Sequence, residues 1–421
     1  MINRLFKRTV VDKIEPYLGD DSIIVLHGAR QVGKTHIMYH LQNQLEGQGE
    51  TCCYLDLEDN RILEVIDQGI ESFVNYLKSL GKVKTYIETD KDEVISVIKT
   101  YVFIDEIQYL ANPSSFLKLV ADHHKYIQLI VSGSSSFEIK SKFKDSLVGR
   151  TINFEIFNLS FSEFLVFKGL KYDLNVNLLP ANPVLLQFQA LYNEYLLYGG
   201  YPQIVLEPEL EKKERKLQQI IQTYIQKDIK DLANINDTKK FNQLIKILAG
   251  QNGQMLNVSS LSSLSGIAQN TVEKYLFILE NTYILKLLPP YSKNSKVEIT
   301  KAPKIFFYDT GLVQMLSNKE LTQSKKGSLF ESSIFAELVK EYGQDNLYYW
   351  RTKSHSEIDF ILNYKNEILP IEVKHSFGQF RNTIIRGFCE KNNLSKYWVV
   401  GLEGELMDSC IYPWMVSRII G

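Results

Sequence analysis

Eight consecutive residues carry the sharpest chemical pattern in the chain: Gly28-Ala29-Arg30-Gln31-Val32-Gly33-Lys34-Thr35, which fits G-x-x-x-x-G-K-[ST] at every fixed position. Glycines let backbone N–H groups curl around phosphate oxygens, and a helix that starts here adds the positive end of its dipole. In that frame Lys34 reaches the β- and γ-phosphates of a nucleotide while the Thr35 hydroxyl ligates magnesium. The expected ligand is a nucleoside triphosphate, ATP with magnesium. Downstream, Tyr101-Val-Phe-Ile-Asp105-Glu106 ends an apolar run with two carboxylates. Asp105 would hold magnesium through water, and Glu106 would orient and deprotonate the attacking water. That pair favours a hydrolase over a small-molecule kinase, which must keep water from competing with its acceptor.

Two weaker signals accompany this site. Ile130-Val-Ser-Gly-Ser134 closes the next apolar run with hydroxyls, so Ser134 is a candidate sensor of the γ-phosphate. Arg150, in Leu147-Val-Gly-Arg-Thr151, is a candidate arginine finger acting on a neighbouring copy, which would make the protein a homo-oligomer.

A second constellation lies near the C-terminus. Ser356-Glu-Ile-Asp359-Phe-Ile-Leu and Leu369-Pro-Ile-Glu372-Val-Lys374 alternate as strands joined by a polar turn. Residues two apart on a strand share a face. Glu357 and Asp359 are therefore expected on one side, with Ile358 and Phe360 together on the other. Asp359 and Glu372 would bind a second divalent metal, Lys374 would position water or stabilise a pentavalent phosphate, and Glu331 on a preceding helix would be either a further metal ligand or simply an N-terminal helix charge. This D-(x)n-E-x-K spacing is the signature of restriction-endonuclease-like nucleases, with DNA as the implied partner.

Elements must position these groups. Apolar, β-branched runs at Ser22–His27, Thr51–Leu57, Tyr101–Asp105 and Ile127–Ser132 alternate with helical stretches, the pattern of a parallel α/β sheet covered on both faces. Residues 170–190, rich in Asn and Pro, read as an excursion loop, with a mostly helical region from about 184 to 250. Between Leu256 and Leu288 a short helix, a Ser265-Gly266 turn and a longer helix suggest a winged helix, with 283–307 as its wing. Val272, Leu276 and Leu279 would face inward; Gln269, Asn270, Thr271 and Lys274 would face outward. That outward face lacks arginine, which favours a structural or protein-contacting role over groove reading.

With 421 residues, 44% apolar and 23% charged, the chain has the composition of a soluble multidomain protein. A net charge of −1 weighs against a protein devoted to nonspecific nucleic-acid binding. Four cysteines (Cys52, Cys53, Cys389 and Cys410) form no C-x-x-C pair, and no apolar run reaches membrane-spanning length. These features imply a reduced, cytoplasmic protein without a membrane partner.

Taken in order, GARQVGKT, FIDEIQ, the Ser-Gly-Ser strand end, LVGR, Tyr198-Gly-Gly-Tyr-Pro202, FYDTGL and GSLFE…YYWRT…EIDFIL…IEVK resemble one group of proteins. These are the prokaryotic ATPases that join an AAA-type module to a winged helix and a restriction-endonuclease-like (PD-(D/E)xK) domain of unknown function. The resemblance spans nearly the whole chain. It implies an AAA-type P-loop core over 1–165, a helical extension over 166–240, a winged helix over 241–310 and an α+β nuclease-like domain over 311–421. It assigns nucleotide roles to Gly28–Thr35, Asp105 and Glu106, and nuclease-like roles to Glu331, Asp359, Glu372 and Lys374. One departure is Lys227, where the pattern calls for arginine; lysine keeps the charge but not the bidentate fork. The alternative is a regulatory ATPase whose C-terminal domain only binds a protein or nucleic-acid partner.

Overall fold

The structure, a computed structural model, describes residues 5–83, 99–133, 147–172, 182–229, 235, 237–292, 302–318 and 326–420. It divides into two compact units, Met1–Phe157 and Asn158–Gly421.

In the first unit, strands β1 (Ile23–His27), β2 (Thr51–Asp56), β3 (Thr100–Asp105), β4 (Ile127–Gly133) and β5 (Thr151–Glu155) form one parallel sheet in the order β2-β3-β4-β1-β5. Strands β1, β3 and β4 are buried along their whole length, as expected for central strands covered by helices on both faces. The chain leaves β1 for the far edge at β2, and after β4 it returns to the opposite side of β1 to form β5. The connections thus diverge at β1 and β4, and ligands in open α/β sheets bind at such a switch point, outside the carboxyl ends of the strands. Val25, Val102, Ile104, Leu129 and Val131 form the core beneath it with Phe73, Leu117 and Val120 from the covering helices.

The second unit begins with helices. The expected loop over 170–190 is shorter than that reading: Asn182 caps a helix running Pro183–Tyr198, its side chain accepting from Val184 N at 2.8 Å. Proline at the first helical position costs no hydrogen bond, so an Asn-Pro pair that reads as a turn here starts a helix. The helices Val258–Ser265 and Gln269–Asn281 follow, separated by Gly266 at φ 65°, and β6 (Leu285–Leu288) pairs antiparallel with β7 (Lys304–Phe307). Val272, Leu276 and Leu279 are buried, while Gln269, Asn270 and Lys274 are exposed.

After the helix Lys326–Tyr342, strands β8 (Leu347–Arg351), β9 (Glu357–Tyr364), β10 (Glu367–Ser376), β11 (Trp398–Glu403) and β12 (Cys410–Ile411) form a mixed sheet. A two-residue turn, Lys365-Asn366, joins β9 to β10 with both φ positive (49° and 66°), the twist that closes a tight hairpin. The alternation expected on β9 does not hold. Tyr348 pairs with Ile361 and Trp350 with Ile358, so Asp359 and Phe360 together oppose Tyr349 in a β-bulge. Ile358 consequently packs with Ile385 and Phe388, whereas Phe360 packs against Phe306 and Phe335. The extra residue breaks the period of two, and sequence periodicity alone assumes that period.

Candidate functional site

The glycine-containing loop from Gly28 to Gly33 joins the end of β1 to the helix Lys34–Gly47. Gly33 sits at φ 98°, and a Cβ on Gly28 would overlap the carbonyl oxygen of Ile156, so both positions require glycine. Gln31 also adopts positive φ, at 64°. Lys34 is buried inside the loop and donates to Gly28 O at 3.0 Å and Ala29 O at 2.8 Å. Burial pulls its pKa down to about 8, with Glu106 and Asp105 acting against that fall. A cation resting on neutral carbonyls is a group prepared to exchange them for anionic oxygens.

Asp105, at the end of β3, is the centre of the acidic side. Its Oδ2 accepts from Thr35 Oγ1 and from Tyr54 Oη, each at 2.7 Å, and its Oδ1 accepts from Ser132 Oγ. Burial and this bond to Asp105 raise the Tyr54 pKa well above its usual value. A hydroxyl and a carboxylate in contact are a hard-oxygen donor pair, the chemistry a magnesium ion requires. Glu106 follows with φ 57°, a left-handed conformation unusual for a non-glycine residue, and Gln108 Nε2 donates to its Oε2. Its N–H is shared between Asp105 Oδ1 at 3.2 Å and Ser132 Oγ at 3.3 Å.

The remaining nucleotide candidates divide. Ser134 lies outside the described residues, as does the side chain of Lys227; the hydroxyl that reaches Asp105 is that of Ser132. Arg150 stands at the start of β5, where its carbonyl accepts from Ile23 N at 2.8 Å, and so at the opposite end of the sheet from the loop. Its guanidinium grips Asp122 through two bonds, at 2.6 and 3.2 Å. Tyr54 escaped the sequence reading, and Ser132 entered it only as one hydroxyl of the strand end that singled out Ser134. Tyr54 was recoverable in principle, since it lies two register pairs before Asp56↔Asp105 and so on the same face of the sheet.

In the second unit the bulge turns Asp359 so that its Oδ2 accepts from Val373 N at 2.8 Å, past the last hairpin pair, Ile371↔Phe360. This brings Lys374 Nζ to 2.6 Å from Glu372 Oε1 and 3.7 Å from Asp359 Oδ2. Glu331 lies within reach of the Asp359 charge but is ion-paired: Lys304 Nζ lies 3.2 Å from its Oε1 and also binds Glu357, which Arg351 Nε approaches at 3.5 Å. Burial, then the charge of Asp359, pushes the Glu331 and Glu372 pKa values up to about 7. Burial opposes the charge on Lys304, but Glu331 and Glu357 outweigh it and keep the amine protonated. Lys304 was not anticipated, because a lysine opening the apolar strand KIFF carries no sign of an inward-facing role. Asp359 and Glu372 fit a hard divalent cation as a two-carboxylate pair, whereas among the described residues no three His, Cys, Asp or Glu side chains are grouped to hold one.

Residues 20–165 match the family model described as an AAA domain, and residues 189–323 and 326–408 match two domains of unknown function, DUF8612 and DUF4143. The chain is 25% identical over 372 residues to an uncharacterized protein of Methanocaldococcus jannaschii, covering 86% of this chain and 77% of that one. It is 26% identical over 390 residues to an uncharacterized protein of Haemophilus influenzae, covering 90% and 89%. A Walker-type ATPase of Pyrococcus abyssi shares 12% identity over 74% of this chain and 96% of its own, with a TM-score of 0.46.

Proposed function

We propose, from the premise that residues 20–165 form a P-loop AAA-type ATPase domain, that this chain hydrolyses ATP with magnesium and couples the cycle to a metal-dependent, DNA-acting centre in its C-terminal unit. The observation that carries the first half is the meeting of Thr35, Asp105 and Lys34 at the carboxyl ends of β1 and β3. Lys34 exchanges the Gly28 and Ala29 carbonyls for phosphate oxygens. Thr35 and Asp105 hold magnesium, which neutralises charge on the phosphates. Glu106, once released by Gln108, orients the attacking water and takes its proton. Arg150 sits too far from its own loop to serve it and acts on a neighbouring copy after leaving Asp122. Turnover per molecule that stays constant as protein concentration rises would refute that trans role.

The second half rests on Asp359, Glu372 and Lys374 meeting where the hairpin splays. Asp359 and Glu372 hold the cation and Lys374 stabilises developing phosphate charge; Glu331 joins the set when Lys304 releases it. In this reading the chain keeps the four-part division 1–165, 166–240, 241–310 and 311–421, with 241–310 as the winged helix. Its exposed Leu264 and Phe277 suit protein contact better than groove reading. The test is magnesium- or manganese-dependent cleavage of plasmid and single-stranded DNA, with and without ATP, in wild type, Asp359→Ala and Lys374→Ala. Cleavage lost in both variants supports the nuclease. A regulatory ATPase with a binding module is the second reading, favoured by the pairing of Lys304 and Lys374 with the carboxylates. No cleavage under any condition, with ATP hydrolysis intact, would select it.

A further inference from the structure

We infer that Arg8, outside every motif of the nucleotide site, is a positioning residue that sets the Val32–Gly33 peptide so that its N–H faces the phosphates of ATP. Arg8 immediately precedes the short helix Thr9–Ile14 and is 7% exposed. One terminal nitrogen donates to Val32 O at 2.7 Å and the other to Phe157 O at 3.0 Å. Across a planar trans peptide the carbonyl and the following N–H point to opposite sides. A clamp on the Val32 carbonyl therefore turns the Gly33 N–H away from Arg8. This fixing is needed because Gly33, at φ 98°, has no Cβ to resist rotation of the peptide before it. The second carbonyl supplies the anchor. Phe157 follows Ile156, whose N–H donates to His27 O at 2.7 Å at the end of β1, so the fork ties the loop to the sheet that carries it.

The planar guanidinium suits two carbonyls at once, whereas a lysine ammonium is a single point donor on a flexible stem. A buried cation here also adds positive potential beneath the loop without touching substrate. Arg8 thus acts through Gly33, and its effect must scale with the phosphates beyond the first, the groups such a loop cradles.

The inference rests on residues 28–35 being the nucleotide site, and the experiment separates the two. Full-length wild type, Arg8→Ala and Arg8→Lys are titrated with ATP, ADP and AMP in magnesium by calorimetry, and each nucleotide-free protein is melted. Arg8→Ala should weaken ATP and ADP about tenfold, the loss of about one hydrogen bond to a charged group. AMP affinity should stay at the wild-type value, the nucleotide-free melting temperature should fall by a few degrees for the two carbonyls left without a donor, and Arg8→Lys should recover only part of the ATP loss. ATP affinity within about twofold of wild type or equal weakening of AMP would each overturn the assignment. If Arg8→Ala does not fold, Arg8→Lys decides: weaker ATP with unchanged AMP supports the role, and wild-type ATP affinity removes it. Wild type that binds no nucleotide would instead overturn the site itself.

Discussion

The two units each place a lysine at the heart of a polar cluster, and they treat its charge in opposite ways. In the first, Lys34 is stripped of water and given only the Gly28 and Ala29 carbonyls. In the second, Lys374 and Lys304 lie directly on carboxylates, among Glu331, Glu357, Asp359 and Glu372. The first arrangement leaves positive charge under-satisfied and is built to receive an anion. The second has more carboxylates than lysines, and under the proposed function a cation entering it would compete with side chains already in place. A site that waits for its ligand and one that stands partly neutralised by its own residues should respond differently to losing the lysine.

That contrast can be broken first at Lys34. Lys34→Ala should lower ATP affinity about a thousandfold, from the loss of two charge-assisted bonds, while the melting temperature holds. Unchanged affinity by calorimetry would remove the loop assignment. Lys304→Met should act on stability instead, costing about 3 kcal/mol by stranding Glu331 and Glu357. Adding Glu331→Gln should recover part of that cost in urea unfolding, and a neutral single variant would mean the pair is not buried charge. Glu106→Gln should bind ATP normally yet turn over about a hundredfold more slowly; wild-type turnover would hand the water to another residue. Smallest, Asp359→Asn should weaken manganese binding to nucleotide-free protein about tenfold, and no change in that titration would sink the cation half of the contrast.

How legible these sites were follows from how local they are. The loop from Gly28 to Thr35 is contiguous, and its glycines announce a backbone that other residues resist. Asp105 and Glu106 are likewise marked by the apolar strand that ends at them. Arg8 and Tyr54 reach the same site from other parts of the chain, and only the folded sheet brings them there. Asp359, Glu372 and Lys374 were visible as residue types, but their meeting depends on one extra residue in β9. Without the bulge Asp359 would oppose Phe360 across the sheet; with it, both lie against Tyr349. The pairing of Glu331 with Lys304 had no local cue, since their positions are joined only when β7 packs beside the helix Lys326–Tyr342.

One cluster of the second unit bears on how the chain is made. Asn158 bonds to Asp309, whose carboxylate also accepts from Gly200 N at 2.9 Å, and Phe161 N donates to Glu337 Oε2 at 3.1 Å across 176 residues of sequence. Phe161 and Phe164 are buried in the finished unit, yet the acid that seats their helix emerges from the ribosome long after them. At about 5–20 residues per second that delay is roughly 10–35 s. The N-terminal sheet needs nothing beyond Phe157 for its own pairings, so it can form while the apolar helix Phe161–Phe167 still waits in the open. That interval is when a growing chain of this kind depends most on chaperones, and truncations between residues 170 and 330 should be captured by them far more than a chain ended at 157.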